Sequence, residues 1–184
     1  MRGRWGLSGR SSDAHHQRVR NVEIKARVGD LAEVEARARR IATEGPTDIP
    51  QDDTFFTCAT GRLKLRELSP TRGDLIFYSR PDEAGPKVSD YWISRTDSPA
   101  AMRETLARAL GIVGRVRKQR RLYLVDRTRI HLDNVEGLGS FVELEVVLAQ
   151  HESPDQGMQV ARQIAESLGI GESQLVQGAY VDLG

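Results

Sequence analysis

Cysteine is almost absent from this chain: Cys58 stands alone among 184 residues. One thiol excludes an internal disulfide and a cysteine-built zinc site, and it suits a reducing, cytoplasmic compartment. Cys58 falls in the strand-like run Phe55-Phe56-Thr57-Cys58, where it reads as a packed small residue rather than a nucleophile. Aromatic residues make up only 5%, too few to interleave with basic residues as a nucleic-acid surface requires. No sign of charge prevails either, since 27 Lys and Arg stand against 26 Asp and Glu for a net +1. Any basic chemistry must therefore be local. Apolar runs are short, and none approaches the ~18 residues of a membrane span. Nucleic acid and membrane are both set aside as partners on these grounds. Phosphate-loop and nucleophile-elbow motifs are missing too: Gly137-x-Gly139 reads as a hairpin turn, with no Gly-Lys-Ser/Thr after it.

What is present is a one-domain length with 39% hydrophobic and 29% charged residues, enough for a real core together with a polar interior feature. Residues 1–18 are rich in arginine, glycine and serine and poor in apolar side chains. They read as a disordered tail ahead of a single domain over residues 19–184. Within that domain, the stretch Asn21-Val22-Glu23-Ile24-Lys25-Ala26-Arg27 alternates with a period of two. Such a strand has one apolar face and one face carrying a carboxylate beside fixed cations. Arg62, Lys64 and Arg66 repeat the pattern as a cationic row; Glu143 and Glu145 repeat it as an acidic one. A merely solvated face has no reason to sort charges by type.

Helices are expected after the first, fifth and eighth strands. One starts at Asp30 with Glu33 completing a capping box and stops at Gly45-Pro46; one starts at Ser98-Pro99 with a Met102, Leu106, Leu110 stripe; one starts at Ser153-Pro154. The second strand is expected from about Thr54 to Cys58. Eight hairpin-connected strands without βαβ alternation disfavour a Rossmann fold and suit a closed barrel. The predicted class is α+β: an eight-stranded antiparallel β-barrel with a charged lumen and helices packed outside.

The same-face set is Glu23, Lys25, Arg27, Arg62, Lys64, Arg66, Arg80, Lys118, Arg120, Arg129, Asp133, Glu143 and Glu145. Buried charge on this scale is costly unless paired or ligand-bound. Arginine forks suit phosphate oxygens, and a hard cation such as Mg²⁺ or Mn²⁺ reconciles carboxylates with an anionic ligand. Glu23, Glu143 and Glu145 are the expected metal ligands; Asp133 either joins them or orients a cation. His131 shares the face and reads as a hydrogen-bonded wall.

Asn21-x-Glu23-x-Lys25 resembles the Glu-x-Glu-x-Lys signature of the CYTH superfamily, the triphosphate tunnel metalloenzymes, with asparagine replacing the first glutamate. The segments Leu75–Lys87, Lys118–Tyr123 and Arg129–Gly139 resemble its class IV adenylyl cyclase-like branch. The resemblance covers roughly residues 20–183. It implies an antiparallel tunnel open to triphosphates and a metal held by Glu23, Glu143 and Glu145. The cations Lys25, Arg27, Arg62, Lys64, Arg66, Arg80, Lys118, Arg120 and Arg129 would bind a small-molecule triphosphate, with Lys25 and Glu23 as catalytic residues. Three functions follow as expectations: cyclisation of ATP to cyclic AMP and pyrophosphate, hydrolysis of a triphosphate, or a non-catalytic sensor whose metal site has decayed at Asn21. A homodimer is left open.

Overall fold

The computed structural model describes residues 19–82 and 85–184; the tail expected over residues 1–18 lies outside them. Eight strands close into one antiparallel barrel among these residues, accompanied by three α-helices. The strands are β1 (Val19–Arg27), β2 (Glu44–Phe56), β3 (Arg62–Ser69), β4 (Arg72–Ser79), β5 (Lys87–Thr96), β6 (Ile112–Val125), β7 (Thr128–Val135) and β8 (Gly139–Val147). Around the ring the order is β1-β5-β4-β3-β2-β6-β7-β8. The helices are α1 (Leu31–Ile41), α2 (Pro99–Leu110) and α3 (Pro154–Ser167). They follow β1, β5 and β8 as the sequence predicts. No helix among the described residues is long and apolar enough to cross a membrane.

The apolar faces point outward into a core. Val22, Ile24 and Ala26 of β1, Ile130 and Leu132 of β7, and Val142, Leu144 and Val146 of β8 are buried. They pack under Val34 and Ala38 of α1 and under Ala161, Ile164 and Ala165 of α3. Asp30 caps α1 through Oδ1, which accepts from the amides of Ala32 and Glu33 at 2.9 and 3.1 Å. The other arm of the expected box does not form; the Glu33 carboxylate instead accepts from Arg37 one turn on. Ser153 and Gln156 do form a complete box on α3. The helix α2 covers less than expected. Pro99 is its only buried residue, Leu110 is 40% exposed, and Ser98 donates its hydroxyl to Asp97 rather than capping.

The expected helix stop at Gly45-Pro46 and the expected second strand both need correction. The helix α1 ends at Ile41, and β2 then runs for 13 residues, through Pro46 and Pro50. Those prolines are tolerated because residues 44–51 pair only with β6; pairing with β3 begins at Asp52. Gly157 lets α3 sit directly on the barrel. A Cβ there would lie 2.5 Å from Leu148 Cδ2 and 2.9 Å from Val22 Cγ2. Gly157→Ala gains about 1 kcal/mol of helix propensity but overpacks a buried contact at a cost of about 1–3 kcal/mol. We expect a net loss of stability of about 1 kcal/mol in urea melts, whereas a surface site would show a gain.

Candidate active site in the barrel lumen

Strand registry brings the sorted charges to one place. On β1 and β8, Glu23 stands opposite Glu145 and Lys25 opposite Glu143. On β7 and β8, Arg129 stands opposite Glu145 and His131 opposite Glu143. A cavity of about 310 Å³ opens among them, within the usual range for small-ligand sites. Seven basic side chains and four carboxylates line it, a surplus of three positive charges. Of the predicted residues, Glu23, Lys25, Lys64, Arg66, Arg80, Lys118, Arg120, Arg129, Glu143 and Glu145 line this cavity. Arg27 and Arg62 do not. Arg27 is exposed, donates to the Leu138 carbonyl at 2.6 Å and stacks on Phe141; Arg62 is tied to Asp82 and Asp182.

The cationic row is paired, and its partner is a residue that the sequence reading missed. Asp53 on β2, 3% exposed, accepts from Lys64 Nζ and from Arg66 Nε and Nη2, each at 2.8 Å. The alternation Asp53–Phe55 could have shown it, had the strand been read as starting before Thr54. Burial and the neighbouring Arg66 together push the Lys64 ammonium down to about 8. Lys87, likewise missed, is buried on β5 opposite Glu23. Burial, then Arg80 and Lys25, lower its ammonium to about 8.

Asp133 requires a correction to its metal-ligand role. It is fully buried outside the cavity lining, and both carboxylate oxygens are engaged. Oδ1 accepts from Arg120 Nε at 2.7 Å; Oδ2 accepts from Lys118 Nζ at 2.8 Å, Arg120 Nη2 at 2.6 Å and Tyr180 Oη at 2.9 Å. It therefore orients two cations and the C-terminal tyrosine. Burial raises its carboxyl, but Arg120 and Lys118 outweigh burial and hold it well below the usual carboxylate range.

The acidic side has a different character. Glu143 pairs with Lys25 at 3.2 Å and contacts Arg120 and Lys118; burial opposes its charge, yet Lys118, Lys25 and Arg120 keep it ionised. Glu145 meets Arg129 at 3.3 Å. Glu23 contacts Arg80. Ligand atoms of His131, Glu143 and Glu145 lie within 4.8 Å of one another. Four buried atoms in this region, Asn21 Oδ1, Glu23 Oε1, Arg80 Nε and His131 Nδ1, have no hydrogen-bond partner among the described residues. Hard oxygen donors with unsatisfied neighbours fit a divalent cation. Glu23 faces the same cavity but stands outside that cluster.

The remaining wall is apolar and comes chiefly from β4, β5 and the C-terminal segment. Ile76, Tyr78, Tyr91, Ile93, Phe55 and Val116 line it. Tyr180 enters from the C-terminal segment, with Lys25 Nζ 3.9 Å and Lys118 Nζ 4.6 Å from its ring centroid. The Gly178 carbonyl accepts from Lys25 Nζ at 3.2 Å and from Arg80 Nη2 at 2.9 Å. A second hollow of about 430 Å³ lies beside β2 and β6. Its acids are met by nearby arginines, as in Asp52–Arg115 and Glu136–Arg117, so it lacks sorted rows of charge.

Asp133→Asn should be costly. It leaves Lys118 and Arg120 buried with Glu143 as their remaining anionic partner. A loss of about 3 kcal/mol in urea melts is expected, at the low end for breaking a buried pair because Glu143 persists. Asp82→Asn at the half-exposed rim should change stability by less than about 0.5 kcal/mol. Equal effects would mean that Asp133 does not anchor the pair.

Comparison with known proteins agrees with the fold. Adenylate cyclase CyaB of Aeromonas hydrophila is 26% identical over 180 residues, covering 92% of this chain and 91% of its own length. The PH1012 protein of Pyrococcus horikoshii OT3 superposes with a TM-score of 0.77 at 20% identity, over 89% of this chain and 98% of its own. HpAC1 from Hippeastrum, described as having a dominant triphosphatase activity, superposes with a TM-score of 0.58 at 18% identity, over 86% and 91%. The CYTH domain pattern matches residues 20–180, and the chain belongs to the CYTH domain family.

Proposed function

We propose that this chain is a divalent-metal-dependent enzyme acting on a triphosphate, with ATP cyclised to cyclic AMP and pyrophosphate. One observation carries the reading: an acidic side and a cationic side share a single cavity with a surplus of three positive charges. A triphosphate brings about four negative charges, its terminal phosphate being close to dianionic near neutral pH. The cation surplus and one divalent ion together meet that charge. Purely structural ion pairing would leave no surplus. The apolar wall of Ile76, Tyr91 and Ile93 beside the charges suits an organic group on the triphosphate more than an inorganic chain. The name of the Aeromonas relative supports the cyclase reading.

The chain's own residues would act as follows. The forks of Arg66 and Arg120, with Lys64 and Lys118, grip phosphate oxygens while Asp53 and Asp133 hold the forks in place. Glu23, Glu143 and Glu145 would hold a divalent cation, which when bound supplies charge neutralisation at the phosphates. Lys25, held between Glu143 and the Gly178 carbonyl at the cavity wall, would stabilise the charge that develops on the reacting phosphoryl group. In cyclisation the 3′-hydroxyl releases its proton to water as its oxygen bonds to the α-phosphorus, the bond from that phosphorus to the α–β bridging oxygen breaks, and pyrophosphate leaves. The second reading is a triphosphatase, in which water attacks the terminal phosphorus in the same cavity; the activity described for HpAC1 favours it.

Product analysis with Mn²⁺ or Mg²⁺ distinguishes the two. ATP should yield cyclic AMP with pyrophosphate; orthophosphate from ATP or tripolyphosphate would establish the hydrolase. Glu145→Gln removes charge but not bulk and should lower turnover by about a hundredfold or more. Retention of turnover at limiting metal would remove Glu145 from the site. Binding should also weaken as pH rises through about 8, where Lys64 loses its proton. A flat affinity between pH 7 and 9 in calorimetry would show that Lys64 does not contact phosphate.

A further inference from the structure

His131 is a buried imidazole with no visible task. It is 5% exposed, and Nδ1 is shielded from solvent without a hydrogen-bond partner. Glu145 Oε1 lies 3.6 Å from Nδ1, beyond the range of a hydrogen bond. A wall histidine locked by hydrogen bonds, as its position on the strand first implies, would not leave this nitrogen idle. Leaving a buried polar atom unpaired is costly, and a ligand at that atom would offset the cost. Like Asp133, His131 stands behind the residues that line the cavity, but its cluster partners Glu143 and Glu145 line it, and ligand atoms of the three lie within 4.8 Å of one another.

We propose that His131 Nδ1 is a nitrogen ligand in the cation site of Glu143 and Glu145, and that the site therefore selects Mn²⁺ over Mg²⁺. The inference rests on the metal dependence proposed above and gives that metal an identity. Mg²⁺ demands oxygen ligands in near-ideal octahedral geometry and gives up water reluctantly. Imidazole suits transition metals, whose affinities for nitrogen donors rise along the first row. Asn21 strengthens the case. It lines the same cavity with its Oδ1 buried and unpartnered, and it brings no charge to hold a hard cation. A site with fewer carboxylates and one neutral nitrogen loses more for Mg²⁺ than for Mn²⁺.

Two measurements on the full-length, triphosphate-free protein decide the matter. Pulsed EPR of bound Mn²⁺ should show ¹⁴N coupling from a directly ligated imidazole, and His131→Gln should abolish it. Calorimetry should give Mn²⁺ at least tenfold tighter than Mg²⁺, with His131→Gln weakening Mn²⁺ at least fivefold and Mg²⁺ less than twofold. Absence of ¹⁴N coupling in the unmutated protein overturns the proposal whether or not the variant folds. Equal affinities for the two metals, or no Mn²⁺ binding at all, overturn it as well. Tripolyphosphate binding in metal-free buffer is measured in parallel. If it persists without nitrogen coupling, only the histidine ligand is lost; if it is absent, the triphosphate reading itself fails.

Discussion

Pairing between β1 and β8 is the constraint on which the rest of this protein depends. It closes the ring, and its register sets Glu23 against Glu145 and Lys25 against Glu143. Because side chains alternate along a strand, a slip of one residue would turn Val22, Ile24 and Ala26 into the lumen and the charges into the core. The burial of those three apolar residues under α1 and α3 blocks that slip. Hydrophobic packing outside the barrel thus holds the registry of charges inside it.

A lumen full of charge must be compensated before any ligand arrives. Two buried aspartates do most of this work: Asp53 holds Lys64 and Arg66, and Asp133 holds Lys118 and Arg120. Each pair of cations is thereby held against its aspartate at the cavity wall. The arrangement is preorganised for an anion, since the ordering of long side chains is complete before binding. The Gly178 carbonyl and the Tyr180 ring play the same part for Lys25. The carboxylates Glu23, Glu143 and Glu145 each meet a cation, while buried atoms of Asn21 and His131 beside them have no hydrogen-bond partner among the described residues.

The cavity is also divided along a second axis, polar against apolar. Ile76 and Ile93 pair across β4 and β5, as do Tyr78 and Tyr91. The helix α2 packs on β2, β3 and β4 in this sector and buries only Pro99. Apolar side chains there face the lumen, the reverse of β1 and β8. One barrel therefore uses both senses of strand alternation: charge inward where two helices supply an outer core, and mixed character inward where they do not.

Much of this was legible in the residues themselves. Period-two alternation is local, so Glu23, Lys25, Lys64, Arg66, Lys118, Arg120, Glu143 and Glu145 could be assigned to one face without knowing any partner strand. Helix order and the absence of βαβ units likewise established the class. What a side chain does on that face depends on cross-strand neighbours, and those come from distant parts of the chain. Asp133 looked like a possible metal ligand until β6 brought Lys118 and Arg120 onto it. Arg27 and Arg62 carried the right charge on the right face, but their heights along the strands left them outside the cavity. Asp53 and Lys87 were invisible because strand boundaries blurred by proline and a loop hid their alternation. The sequence by itself thus determined which faces are charged and that they enclose a polar interior. Only the tertiary structure decided which charges neutralise each other and which remain for a ligand, because that partition depends on distances of a few ångströms between strands far apart in the chain.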